Sequence, residues 1–151
     1  MENDNLRGLF QLLTRRFGLL NKNCCSTGDL EISLVQSHII YEICRQHQPA
    51  IQQVADTLGT DITTFSRQIQ SLIKMGLVMK TPAAEDRRIS ILSLTEKGKE
   101  VNELVDTQMN NYIQEIFSHM NEFEKDIVIR SLKLLNDRML KSSVCCTSPW
   151  G

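Results

Sequence analysis

The chain has 151 residues, 41% hydrophobic and 23% charged, with a formal net charge of −1 at neutral pH. That length suits one domain or two small lobes sharing a core, and the near-neutral charge excludes a globally basic surface. No stretch reaches the roughly 18 consecutive apolar residues that a membrane span requires, and MENDNLRGLF has no charged-then-apolar leader pattern, so a cytoplasmic protein is expected.

In chain order, Leu6, Leu9, Phe10, Leu13, Phe17 and Leu20 recur at helical spacing and predict a first amphipathic helix. The stretch NKNCCSTGD, residues 21–29, reads as a connection. A second helix is expected from about Ser33 to Gln46, with Val35, Ile39 and Ile43 inward, ended by the residues before Pro49. Ile51, Val54, Ala55 and Leu58 then form one short helix, and Gly59 supplies a turn. Asp61 or Thr63 caps the next helix, whose inner face carries Phe65, Ile69, Leu72 and Ile73 and which Gly76 stops. Two helices across a tight glycine turn predict a helix-turn-helix, with small Ala55 at the crossing.

Two strand-like runs follow, LVMKT and RISILSL, and pair as a hairpin across residues 82–88. Thr95 caps a long helix carrying Val101, Leu104, Val105, Met109, Tyr112, Ile113, Ile116, Phe117 and Met120. NEFE, residues 121–124, has the form of a capping box before a last helix with Phe123, Ile127, Val128, Leu132, Leu135 and Met139. The expected fold is therefore mainly α with a small β-hairpin wing: a winged helix-turn-helix lobe plus a helical dimerisation lobe.

Charge is unevenly placed. From Ile62 to Leu94 five basic residues face two acids, while from Val101 to Leu140 four basic residues face seven acids. A locally positive middle on a neutral body is compatible with a nucleic-acid face. A recognition helix reads base edges in the major groove with its N-terminal polar residues. Here those are Thr63, Thr64, Ser66, Arg67, Gln68 and Gln70. Arg67 and Gln68 have the donors and acceptors for bidentate contacts to guanine and adenine. At the hairpin tip, Arg87 and Arg88 suit the negative minor groove, one entering it and the other braced by Asp86.

The run LIKMGLVMKTPAAEDRRISILSLTEKG resembles the MarR family of bacterial transcription regulators. The resemblance rests on Asp86-Arg87-Arg88 in the wing and on Leu94-Thr95-Glu96-Lys97-Gly98 at a helix start, and it extends over residues 5–140. It implies a single domain over residues 1–141, with residues of about 33–94 as the DNA-binding lobe and residues 1–32 and 95–141 as the helical dimerisation lobe. It also implies a triangular homodimer, its base built from the first and last helices, on double-stranded DNA with a pseudo-palindromic operator. By position, Thr63, Thr64, Ser66 and Arg67 match the family's recognition-helix contacts, and Arg87 and Arg88 match its wing. Ile62 departs from the polar or basic residue usual there.

Five cysteines remain: Cys24-Cys25, Cys44, and Cys145-Cys146 in a tail over residues 142–151. If first and last helices meet, the two adjacent pairs converge on a soft, sulfur-rich site. Thiolates favour trivalent arsenic or antimony, and four sulfurs suit zinc. The expectation is a repressor released from its operator by such a metal or metalloid at Cys24, Cys25, Cys145 and Cys146, with Cys44 as an additional candidate and no certain cofactor. Cys44 also fits a small core residue. The alternatives are oxidation of the same thiols, or a small organic ligand between lobes beside Tyr41, Phe10, Phe17 and Met109. Of the histidines, His38 is expected near the inward helix face, with His47 and His119 near helix ends. No Cys-x-x-Cys and no nucleotide-binding glycine loop occur, so no enzyme is expected.

Overall fold

The computed structural model describes residues 5–17 and 25–141. Six helices and four short strands are present among them: α1 (Leu6–Arg16), β1 (Cys25–Thr27), β2 (Leu30–Ile32), α2 (Leu34–Gln46), α3 (Ile51–Leu58), α4 (Ile62–Lys74), β3 (Val78–Pro82), β4 (Ser90–Leu94), α5 (Glu96–Ser118) and α6 (Glu122–Leu140). One compact unit ends at Thr107 and a second begins at Gln108, so α5 starts in one and ends in the other.

The first unit owns the core. Ile32, Ile39, Ile40, Ile43, Val54, Phe65, Ile69, Leu72, Leu77, Val78 and Leu92 are all buried, drawn from β2, α2, α3, α4 and the β3–β4 hairpin. On α2, Ser33 and Gln36 form a reciprocal capping box, and the buried stripe is Ile39, Ile40 and Ile43. Val35, expected inward, is exposed. At about 100° per residue it sits roughly a quarter-turn from the centre of that stripe. His38, expected near the inward face, is also exposed, and so is Cys44, which is therefore no core residue.

The helix-turn-helix forms as the sequence requires. Gly59 takes φ 62° at the end of α3, and Asp61 rather than Thr63 caps α4, accepting from the Thr64 backbone N–H at 2.9 Å. Ala55 is fully buried, which permits the close approach of α3 and α4. β3 and β4 pair antiparallel from Val78 opposite Leu94 to Pro82 opposite Ser90. Leu92 also donates its N–H to the Pro49 carbonyl at 2.9 Å, and Ala50 bridges Ile91, so β4 has a neighbour on both edges. Ile89, expected in the strand pattern, lies outside β4 and is exposed.

The structure adds one element. Residues 25–32, expected in part as a plain connection, form a small antiparallel hairpin with Thr27 opposite Leu30. Gly28 at φ 67° fills the first of two turn positions, as a type II′ turn requires.

No residue of α1 or α6 is buried. On α1, Leu6, Leu9, Phe10 and Leu13 are exposed, as is Phe17 just after it; on α6, in the second unit, so are Phe123, Ile127, Leu132, Leu135 and Met139. The α6 start is a capping box between Asn121 and Glu124. No helix among the described residues is long and apolar enough to cross a membrane.

Candidate nucleic-acid interface

Helix α4 is divided by its own periodicity. Phe65, Ile69 and Leu72 fill the core. The opposite side is a shallow open groove lined by Ile62, Thr63, Ser66, Arg67, Gln70, Ser71 and Lys74. Four of the six expected recognition-helix residues, Thr63, Ser66, Arg67 and Gln70, therefore share one face. Thr64 and Gln68 do not line the groove and lie about 110° and about 150° round the helix from the centre of that face. Thr64 is occupied by the cap: its backbone N–H and its hydroxyl both meet the Asp61 carboxylate, whose pKa they hold below the usual range. Lys74 and Ser71 join the face although they were not singled out as contacts. Ser71 is four and Lys74 seven residues from Arg67, and that spacing is the signal that finds them.

The face is held from behind. Gln36 donates from Nε2 to Ser71 Oγ at 3.4 Å and approaches Met75 Sδ at 4.0 Å, while its Oε1 accepts from the Ser33 N–H. One side chain thus caps α2 and ties it to the end of α4.

At the wing tip the two arginines have different situations. Asp86 Oδ1 accepts from the Arg88 backbone N–H at 3.0 Å and from its Nε at 3.1 Å, and Oδ2 accepts from Nη2 at 3.1 Å. The Arg88 side chain and backbone N–H hold the Asp86 carboxyl below its ordinary range. The Arg88 side chain is still 91% exposed, so the brace aims the guanidinium without burying it. Arg87 is exposed and makes no ion pair among the described residues. The expected division of labour, one arginine braced and its neighbour free, thus falls to Arg88 and Arg87 respectively.

Wing and recognition helix are joined at a common clasp. Thr95 Oγ1 donates to the Gly76 carbonyl at 2.6 Å and accepts from the Gly98 N–H at 2.9 Å, while the Thr95 N–H reaches the Leu77 carbonyl at 3.0 Å. Lys97 Nζ lies 3.4 Å from the Met75 carbonyl. The end of α4, the start of β3 and the first turn of α5 are thereby stitched to one another.

Cys24, Cys145 and Cys146 lie outside the described residues, as does the Cys25 side chain. Cys44 borders a separate open groove of about 880 Å³ together with His47, Met79, Ser93, Lys99 and Asn102. His47 and Gln48 beside it have positive φ, 52° and 56°. Among the described residues no group of three or more His, Cys, Asp or Glu stands close enough to hold a metal ion.

Residues 33–98 match the family model of a winged helix DNA-binding domain. The chain is 26% identical over 114 residues to the HTH-type transcriptional regulator TcaR of Staphylococcus aureus (strain Newman), covering 74% of this chain and 75% of that one. It superposes on a MarR protein of Peptoclostridium difficile with a TM-score of 0.76 at 26% identity, over 90% of this chain and 88% of that one. It shares its fold with Streptococcus pneumoniae FabT, solved in complex with DNA, at a TM-score of 0.77 and 20% identity, over 90% of this chain and 95% of that one.

Proposed function

We propose, from the match to a winged helix DNA-binding domain and the likeness to MarR-type regulators, that the chain is a DNA-binding transcriptional regulator of the MarR type, a homodimeric repressor that grips a pseudo-palindromic operator with two copies of the α4–wing surface. The observation that carries this reading is the pairing, within one compact unit, of the Arg67 face of α4 with Arg87 and the braced Arg88 of the wing. The α4 face meets base edges in the major groove through Arg67, Gln70, Ser66 and Thr63. Arg87 and Arg88 meet the flanking minor groove, where narrow A·T-rich sequence concentrates negative potential. The dimer is supported by the apolar side chains that α1 and α6 leave exposed. Two half-sites about one helical turn apart, roughly 34–36 Å, then match the protein's two-fold symmetry.

Anisotropy titration on duplexes selected by the protein tests this. Arg67→Ala should cost about 1–3 kcal/mol and relax specificity at one position per half-site. Replacing both Arg87 and Arg88 by Ala should lower the salt slope by about 2 per chain. Unchanged affinity in both variants would defeat the reading.

The signal belongs to the same proposal. A thiophilic ion, trivalent arsenic or antimony, bridges Cys24-Cys25 and Cys145-Cys146, changes how the first and last helices meet, and so resets the spacing of the recognition helices. What supports it is the chemistry of two adjacent-thiol pairs in the sequence. Arsenite should release the operator and raise transcription from its promoter, and Cys24→Ser should abolish the response. Release by peroxide alone would assign the thiols to oxidant sensing instead.

A further inference from the structure

Ile62 is the one large apolar side chain in the DNA-facing groove of α4. It is the first residue of that helix, directly after the Asp61 cap, and it is 42% exposed. Its neighbours along the groove are Thr63, Ser66, Arg67 and Gln70, all able to hydrogen-bond. The core does not explain it, because Phe65, Ile69 and Leu72 supply the inward face. Helix propensity does not explain it either: a β-branched residue loses side-chain freedom in a helix. A singly exposed isoleucine elsewhere would need no explanation. This one stands at the N-terminal end of a recognition helix, the end that faces base edges.

We propose that Ile62 is a specificity-determining residue that reads the 5-methyl group of a thymine in each half-site. The major-groove edge of a thymine carries one apolar feature, that methyl. An aliphatic side chain gains by covering it. Against the exocyclic amine of cytosine the same side chain removes water from a polar group and returns no hydrogen bond. Arg67 and Gln70, further along the face, hydrogen-bond to neighbouring bases, so Ile62 adds a position they do not read. The inference rests on α4 being the helix that enters the major groove.

The probe is the duplex that the wild-type protein enriches from a random-sequence library. Each thymine in it is replaced in turn by deoxyuridine, which removes only the methyl. Covering one methyl is worth about a factor of four, so wild type should lose about fourfold at one symmetric position per half-site. When both half-sites are replaced, the loss should approach about sixteenfold by the same per-methyl factor. Ile62→Ala should bind thymine and uracil versions equally, and Ile62→Val should retain most of the discrimination. A uracil scan that is flat for wild type, or discrimination that persists in Ile62→Ala, overturns the methyl contact and leaves DNA binding standing. Enrichment of no duplex at all overturns DNA recognition by α4 and the methyl contact with it.

Discussion

Gly98 has no room for a side chain. A Cβ built there collides with the Leu77 backbone carbonyl, and backbone cannot swing aside. The helical conformation at Gly98 needs no glycine; the close approach of α5 to the start of β3 does. Gly98→Ala should therefore destabilise the winged unit by about 3 kcal/mol, at the upper end of overpacking, read as a fall in the urea midpoint at unchanged slope. A midpoint matching wild type would mean that the clasp at Thr95 and Gly98 does not hold the wing. The residues of this clasp were legible as a motif, Leu-Thr-x-x-Gly, while the reason for the glycine was not. Nothing local in the sequence tells a turn-forming glycine such as Gly59, at φ 62°, from one that makes space. The wing pair shows a similar limit. Asp86-Arg87-Arg88 announces a braced arginine, but its identity depends on the loop's closure, where the Ala83 N–H donates to the Ile89 carbonyl at 2.8 Å.

On the scale of elements, periodicity was the readable signal and short or edge features were not. α4 and its inner face follow from spacing alone. The β1–β2 hairpin does not, because three-residue strands are too short to show an alternation. Val35 is exposed against expectation because one apolar residue at the edge of a stripe satisfies helical spacing without reaching the core. The same periodicity, continued on the outer side of α4, brings Lys74 into the groove with Arg67 and Gln70. Lys74 lies in the last turn of α4, so on the proposed reading, in which the N-terminal end of α4 reads bases, its ammonium would meet a phosphate and not a base edge. Lys74→Gln should weaken all duplexes alike and reduce the slope of log affinity against log salt by about 0.9 per chain. Its sequence preference should be that of wild type. A changed preference, or an unchanged slope, would place Lys74 off the backbone.

At the scale of the whole molecule, the apolar faces of α1 and α6 demand a partner. Leu9 is 60% exposed and Ile127 46% exposed, and no residue of either helix is buried. Water-facing leucine and isoleucine in such number are costly unless covered, at about 25 cal/mol for each Å² of apolar surface. In the proposed reading that cover is a second copy of the chain, since a symmetric dimer would present two identical reading surfaces to a pseudo-palindromic operator. Because these side chains are exposed in the single chain, charging them should leave the winged unit folded. Leu9→Glu with Ile127→Glu should therefore keep the wild-type urea midpoint of that unit while sedimenting at the mass of one chain, where wild type sediments at twice that mass. Operator affinity should then fall by about 10²–10⁴, the avidity lost when two half-sites are no longer linked. Binding to a single half-site should be unaffected. A variant that remains dimeric would move the interface elsewhere. A monomeric variant with full operator affinity would remove the need for two linked reading helices.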